Sequence, residues 1–266
     1  MNYKDTFETH GFLPATDILN EAESIKLQRD LATSIDKYDI LNNEYRCKSH
    51  MLFKWVDELS RHPKIVSIVK EILGENIICL DTMFWGKNPK TAEFVSFHQD
   101  GYYWPINEPV RGVVVWVPFQ DTNDENGTIQ YVDKSHSKFL LHENIIHEDN
   151  KLRRGQTVDI SALDLPLISC SAKLGQVTMH HPYNIHGSFP NKGDKIRLAC
   201  NLQYIAADVD LMSNEYQEYG TLISGKNTSK VECIREVANS FELNQPAWEV
   251  AWHNQRQNYL KSSGRY

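Results

Sequence analysis

After Gly74 the chain leaves the helical period and breaks into short β-rich runs divided by turn residues, and this change governs what it can fold into. The runs are Ile77 to Trp85, Val113 to Phe119, Thr128 to Val132, Lys173 to Met179 and Arg197 to Ile205. Gly86-Lys87-Asn88-Pro89, Asn123-Asp124-Glu125-Asn126-Gly127 and Pro190-Asn191-Lys192-Gly193-Asp194 supply the turn chemistry between them. Helices do not alternate with these runs, so an antiparallel sandwich is expected and a parallel α/β sheet is not.

Upstream, apolar residues at helical spacing predict a surface helix over Ile18 to Ile35, with Thr16 and Asp17 as its N-terminal cap. A second helix opens at Pro63, carries Ile65, Val66, Ile68, Val69, Ile72 and Leu73 on one face, and ends at Gly74. A further helix is expected near Lys230 to Phe241. With 266 residues, 41% of them hydrophobic, the chain can bury one sizeable core. One catalytic domain over 1–266 is therefore expected, with helical support at 1–75, a β core at 76–210 and a C-terminal helical and loop segment at 211–266.

Lysine plus arginine number 28 against 35 acids, and this charge of −7 opposes capture by nucleic acid or anionic lipid. A small-molecule partner fits better. No window approaches the roughly 18 apolar residues of a membrane span, and the opening lacks a basic region followed by an apolar one, so a cytoplasmic protein is expected. Five scattered cysteines without a CxxC pair predict neither a disulfide framework nor a thiolate metal site. The sequence sets no oligomeric state.

In Phe97-His98-Gln99-Asp100-Gly101 an imidazole and a carboxylate stand two residues apart at the end of a β-like segment. Residues i and i+2 of an extended chain project to one side, so His98 and Asp100 can aim at one point while Gln99 faces away. That is two thirds of the facial arrangement that holds iron(II), although a surface histidine beside a turn aspartate is the commoner meaning of HxD alone. The segment from His180 to Asn191 adds a histidine at a turn, His186, followed by Ser188 and then by Arg197. Arginine suits a dicarboxylate because its planar fork grips a carboxylate with two parallel hydrogen bonds. His180 and His181 compete with His186 for the metal and should point to opposite faces of a strand. Only His186 has the serine and arginine at the spacing required.

Phe97-His98-Gln99-Asp100, Trp116 in Val-Trp-Val-Pro, Asn126-Gly127, Ser135-His136 and His186-Gly187-Ser188 with Arg197 together resemble the phytanoyl-CoA dioxygenase family. The early Phe7, His10, Gly11, Phe12 and Leu13 are also similar to that family's opening, so the likeness covers nearly the whole chain. The resemblance implies a mainly β fold with flanking helices: a double-stranded β-helix, the jelly roll of the cupin-like oxygenases. It implies that His98, Asp100 and His186 bind Fe(II), and that Arg197 and Ser188 bind the distal carboxylate of 2-oxoglutarate. Gln99, Trp116 and Met83 occupy positions that line the co-substrate site in similar proteins, and Lys48 or Arg46 offers a further cation. Asp133-Lys134-Ser135-His136 departs from the family's usual Pro-Gly-Ser-His.

The implied reaction consumes O2 and 2-oxoglutarate, releases succinate and CO2, and hydroxylates an unactivated C–H bond of a small molecule, a natural-product intermediate being favoured. Related halogenases lack the carboxylate that Asp100 provides here. Desaturation, cyclisation or epimerisation at the same site are alternatives, as are a non-catalytic binding protein and a zinc hydrolase, which would want a general base of the HExxH kind. Tyr102, Tyr103 and Trp104 either wall the substrate site or pack the barrel mouth. Trp248 and Trp252 read as a docking stripe sooner than a lid, Arg153-Arg154 as a solvated pair sooner than a phosphate contact, and His136 and His142 as solvated loop histidines or as contacts to the metal ligands or the substrate.

Overall fold

The computed structural model describes residues 2–107, 110–152, 155–214, 216–233 and 245–262. The N-terminal part holds α1 (Tyr3–His10), β1 (Phe12–Asp17), α2 (Glu21–Tyr38), α3 (Lys54–Ser60) and α4 (Pro63–Leu73). The strands that follow are β2 (Ile77–Lys87), β3 (Val95–His98), β4 (Gly112–Pro118), β5 (Gln130–Val132), β6 (Glu143–Asn144) and β7 (Gln156–Thr157). After them come β8 (Leu167–Ser169), β9 (Gln176–His180), β10 (His186–Ser188), β11 (Arg197–Ala206), β12 (Tyr219–Ser224), β13 (Glu232–Cys233) and α5 (Gln245–Ser262).

Seven strands form a sheet in the order β1-β9-β4-β11-β2-β12-β13, four form a second in the order β3-β10-β5-β8, and β6 pairs with β7. Neighbours in each sheet are mostly distant in sequence, as a jelly roll requires. The expected fold is therefore the observed one. The helix from Pro63 to Leu73 also forms as expected, with Ile65, Ile68, Val69 and Leu73 buried and Gly74 at φ +94° closing it. None of the described helices is long and apolar enough to cross a membrane.

One local expectation needs correction, one strand was not anticipated, and one expected helix falls mostly outside the described residues. Thr16 and Asp17 end a strand and do not cap a helix; the cap of α2 is Asn20, whose Oδ1 accepts from Glu23 N while Glu23 Oε2 accepts from Asn20 N. This reciprocal pair meets two orphan donors of the first turn, which Asp17 could not reach. β1 itself was hidden by Pro14, tolerated because the strand lies at the sheet edge. Of the helix expected near 230–241 only 230–233 are described, and they end in β13; 234–241 lie outside the described residues, as do Arg153 and Arg154.

Contacts divide the chain into two compact units. One comprises Met1–Ile25, Trp85–Tyr102 and Val115–Cys200; the other comprises Lys26–Phe84, Tyr103–Val114 and Asn201–Tyr266. Within the first, Phe12 stacks on Tyr131 at 4.9 Å, and a core of Phe12, Trp116, Ile129, Tyr131, Cys170 and Ala199 closes around them. Within the second, Trp55 packs on Phe84 and donates to Ser34 Oγ at 2.9 Å, while Tyr204 donates to Ser60 O at 2.7 Å. Trp248 of α5 is buried and donates to Cys47 O at 2.9 Å, the docking role expected of it. The cysteines form no disulfide, and four of the five are buried.

The N-terminal segment is sewn into the first unit. Lys134 N donates to His10 O at 3.0 Å, His181 N to Gly11 O at 2.8 Å, and His10 Nδ1 lies 2.8 Å from Asp133 Oδ1. Gly11 sits at φ +78°, where a Cβ would lie 2.4 Å from His136 Nδ1 and 2.7 Å from Asn184 Nδ2. Both backbone angle and space demand glycine. Gly11→Ala should cost more than about 1 kcal/mol, read as a lower urea midpoint at unchanged slope. An unchanged midpoint would contradict this packing.

Candidate metal centre

Short strands bring the ligands together by register. In the four-stranded sheet His186 of β10 lies directly opposite His98 of β3 on one side and Tyr131 of β5 on the other. Cross-strand partners share a face, so both imidazoles are aimed the same way by pairing alone. At the end of β3 the chain turns into a single 3-10 turn, Asp100–Tyr102, which lifts the carboxylate towards them. One ligand atom from each of His98, Asp100 and His186 lies within 4.8 Å of the others, and all three residues are buried. Asp100 Oδ1 is 3.4 Å from His98 Nε2 and 3.8 Å from His186 Nε2.

The backbone fixes each ring. His98 Nδ1 donates to Ser96 O at 2.8 Å and His186 Nδ1 donates to Asn184 O at 3.0 Å, leaving both Nε2 atoms as unprotonated donors to an ion. Burial pushes His186 well below the usual imidazole range, reinforced by His180 and His98. For Asp100 burial works the other way, but the nearby imidazoles of His186, His180 and His98, with a hydrogen bond from His180, outweigh it and hold its carboxyl well below the usual range. Two imidazoles and a carboxylate, with no thiolate, fit iron(II). Among the described residues this is the group of such side chains that converges on one point.

Histidines 180 and 181 point to opposite faces, as the strand period predicts. His180 Nε2 lies 3.2 Å from Asp100 Oδ2, whereas His181 packs on Phe7 and His136. His136 contacts Glu8 O at 3.1 Å. His142 is no solvated loop residue: its Nε2 accepts from Gln99 N at 2.9 Å and its ring sits 4.3 Å from Tyr102. Burial and the neighbouring His98 push His142 down to about 4, which keeps it the neutral acceptor this bond needs. Tyr102 stacks on Phe139, the packing alternative for that aromatic.

Gln99 was expected beside the co-substrate. Its side chain instead donates to Lys138 O and Tyr183 O and accepts from Leu140 N, so it straps the 138–140 loop to the HxD turn. Lys48 and Met83 belong to the other unit. The Lys48 ammonium donates to Leu80 O, Tyr219 O and Glu218 Oε1, which occupies all three of its N–H groups. Met83 forms a backbone bridge with Cys47.

Arg197 opens β11 with its guanidinium 5.7 Å from the ring centre of Trp116, a cation-on-aromatic contact. It is 3% exposed, its Nε has no hydrogen-bond partner, and among the described residues no acid pairs with it. Burial lowers it only to about 10, so it stays charged. Ser188 is buried two residues beyond His186. Sequence reasoning missed Lys87, which is buried and donates to Ser188 O at 2.9 Å and to Phe189 O. Burial and the charge of Arg197 push it down to about 6. No local signal marks it, because its partners lie 101 and 102 residues away.

A jelly roll that brings two histidines and one aspartate to one buried point has the construction of a non-haem, metal-dependent oxygenase. The chain belongs to the phytanoyl-CoA dioxygenase (PhyH) family, whose pattern matches residues 7–199. A probable alpha-ketoglutarate-dependent hypophosphite dioxygenase of Stutzerimonas stutzeri is 29% identical over 189 residues, 67% of this chain. The alignment spans 64% of that relative's own length, just under two thirds. Among solved structures, the apo non-heme monooxygenase ThoJ superposes with a TM-score of 0.86 at 22% identity, covering 99% of this chain and 100% of that one. The alpha-ketoglutarate-dependent carbocyclase SnoK from nogalamycin biosynthesis gives 0.65 at 20% identity, covering 79% and 85%.

Lys87 generates a pH prediction. Its folded value of about 6 lies below the ordinary 10.5, so between these limits the unfolded chain binds the extra proton and stability rises with pH. In the metal-free protein this adds up to about 1.4 kcal/mol per pH unit. Lys87→Met should flatten the rise of the urea midpoint between pH 6.5 and 8.5; an equal slope in both proteins would refute it.

Proposed function

We propose that the protein is an Fe(II)- and 2-oxoglutarate-dependent oxygenase that hydroxylates an unactivated C–H bond of a free small molecule. Arg197 carries this reading. A buried cation without a counter-ion is unfavourable by several kcal/mol, and the stable solution is a ligand that brings the anion with it. 2-Oxoglutarate has one carboxylate beside its keto group to offer a metal and a second, four carbons away, to offer a guanidinium.

His98, Asp100 and His186 would hold the iron through Nε2, Oδ1 and Nε2. Arg197 and Ser188 would take the distal carboxylate, with Trp116 under the guanidinium to keep its fork oriented. The bound iron supplies oxidation by O2: 2-oxoglutarate becomes succinate and CO2, and one oxygen atom enters the substrate as hydroxyl. The protein's share is to orient both carboxylates, exclude water and keep Asp100 ionised. Hydroxylation is favoured over halogenation because Asp100 fills the position a halide would need. A natural-product intermediate is favoured as substrate by the likeness to SnoK, which acts in nogalamycin biosynthesis.

Anaerobically purified protein given Fe(II), 2-oxoglutarate and O2 should release succinate, and more so with its true substrate. Asp100→Ala should abolish release and weaken iron binding. Arg197→Gln should raise the KM for 2-oxoglutarate about 10- to 100-fold while leaving iron affinity near wild type, since a charged hydrogen-bond pair contributes about 1.5–3 kcal/mol. Normal iron affinity and turnover in Asp100→Ala would refute the ligand set. Turnover confined to CoA thioesters would refute the free small molecule.

A further inference from the structure

The two oxygens of Asp100 face different partners. Oδ1 faces the Nε2 atoms of His98 and His186, while Oδ2 lies 3.2 Å from His180 Nε2. His180 is wholly buried on β9, and its Nδ1 is 3.1 Å from the Tyr131 hydroxyl, which is itself 2.7 Å from Thr178 Oγ1. Donor counting sets the direction. An ionised carboxylate only accepts, so His180 Nε2 carries the proton; its Nδ1 then accepts from Tyr131, whose oxygen accepts from Thr178.

We propose that Thr178, Tyr131 and His180 form a one-way hydrogen-bond relay that holds Oδ2 of Asp100, so that only Oδ1 is offered to the ion. This rests on the iron and 2-oxoglutarate reading above. Carboxylates ligate through one oxygen or two, and a free one can turn to offer both. The second oxygen would then compete for space that the keto-acid end of the co-substrate needs. His180 is thus a positioning residue, and its loss should weaken co-substrate binding more than metal binding.

The location of Tyr131 supports this. It flanks His186 on β5 and stacks on Phe12, so its ring is fixed before its hydroxyl acts. Such partners behind a ligand typically change metal affinity or activity by 10- to 100-fold.

The test is anaerobic titration of wild type, His180→Leu, His180→Gln and Tyr131→Phe with Fe(II), then with 2-oxoglutarate, following the visible charge-transfer absorbance of the ternary complex. His180→Leu should weaken 2-oxoglutarate about 10-fold or more, shift the absorbance, and weaken iron less. His180→Gln can still donate to Oδ2 and should recover most of the affinity. Tyr131→Phe removes one oxygen, keeps the packing and should fall between. Wild-type 2-oxoglutarate affinity in both His180→Leu and Tyr131→Phe would overturn the relay, as would losses that follow thermal stability and are not rescued by glutamine. Failure of the wild type to bind 2-oxoglutarate with iron would instead bring down the oxygenase reading and the relay with it.

Discussion

A carboxylate kept ionised away from water is the constraint on which the metal centre depends. Asp100 is buried, and burial alone would drive it to its neutral acid. Three imidazoles around it reverse that outcome, and two are placed by strand pairing. The row His98, His186, Tyr131 exists only in one register of strands three and four residues long, and a slip of one residue would turn all three to the other face. The protein locks that register with contacts from outside the sheet. Lys87 holds the carbonyls that end β10, and Asn184 holds Val132 O where β5 ends.

The opposite charge problem exists around Arg197. Arg197 is an enclosed cation that, together with burial, depresses its neighbour Lys87, and the described residues give Arg197 no acid. The lysine lies against two carbonyls; the arginine lies over an indole. Metal-ligating side chains at one place and an arginine without an acid at another suit a ligand that carries a carboxylate at each end.

Much of this was legible in sequence, for definable reasons. HxD is readable because the two-residue strand period aims both side chains alike, and α4 is readable because proline and glycine mark its ends. His180 could be seen as a histidine facing away from His181, but not as the partner of Asp100, since that contact joins residues 80 apart, one at the end of β9 and the other in the turn after β3. Gln99 and Lys48 show the reverse. Each has a residue type suited to the co-substrate, yet each is occupied by backbone oxygens or by an acid supplied from far along the chain. Side-chain networks closed by such long loops leave no local pattern, and Lys87 was invisible for the same cause. Asn20 was different: its capping box with Glu23 is local, and the nearer Thr16 and Asp17 drew the cap away from it.

The stitching of the N-terminal segment has a consequence for biogenesis. His10 and Gly11 meet partners at Asp133, Lys134, His181 and Asn184, and the His10–Asp133 contact alone spans 123 residues. During synthesis this first segment leaves the ribosome long before anything exists for it to pair with, so its docking belongs to the last stage of assembly. Because Asn184 O also accepts from the ring of His186, the late docking of this segment and the setting of that ring meet at one residue.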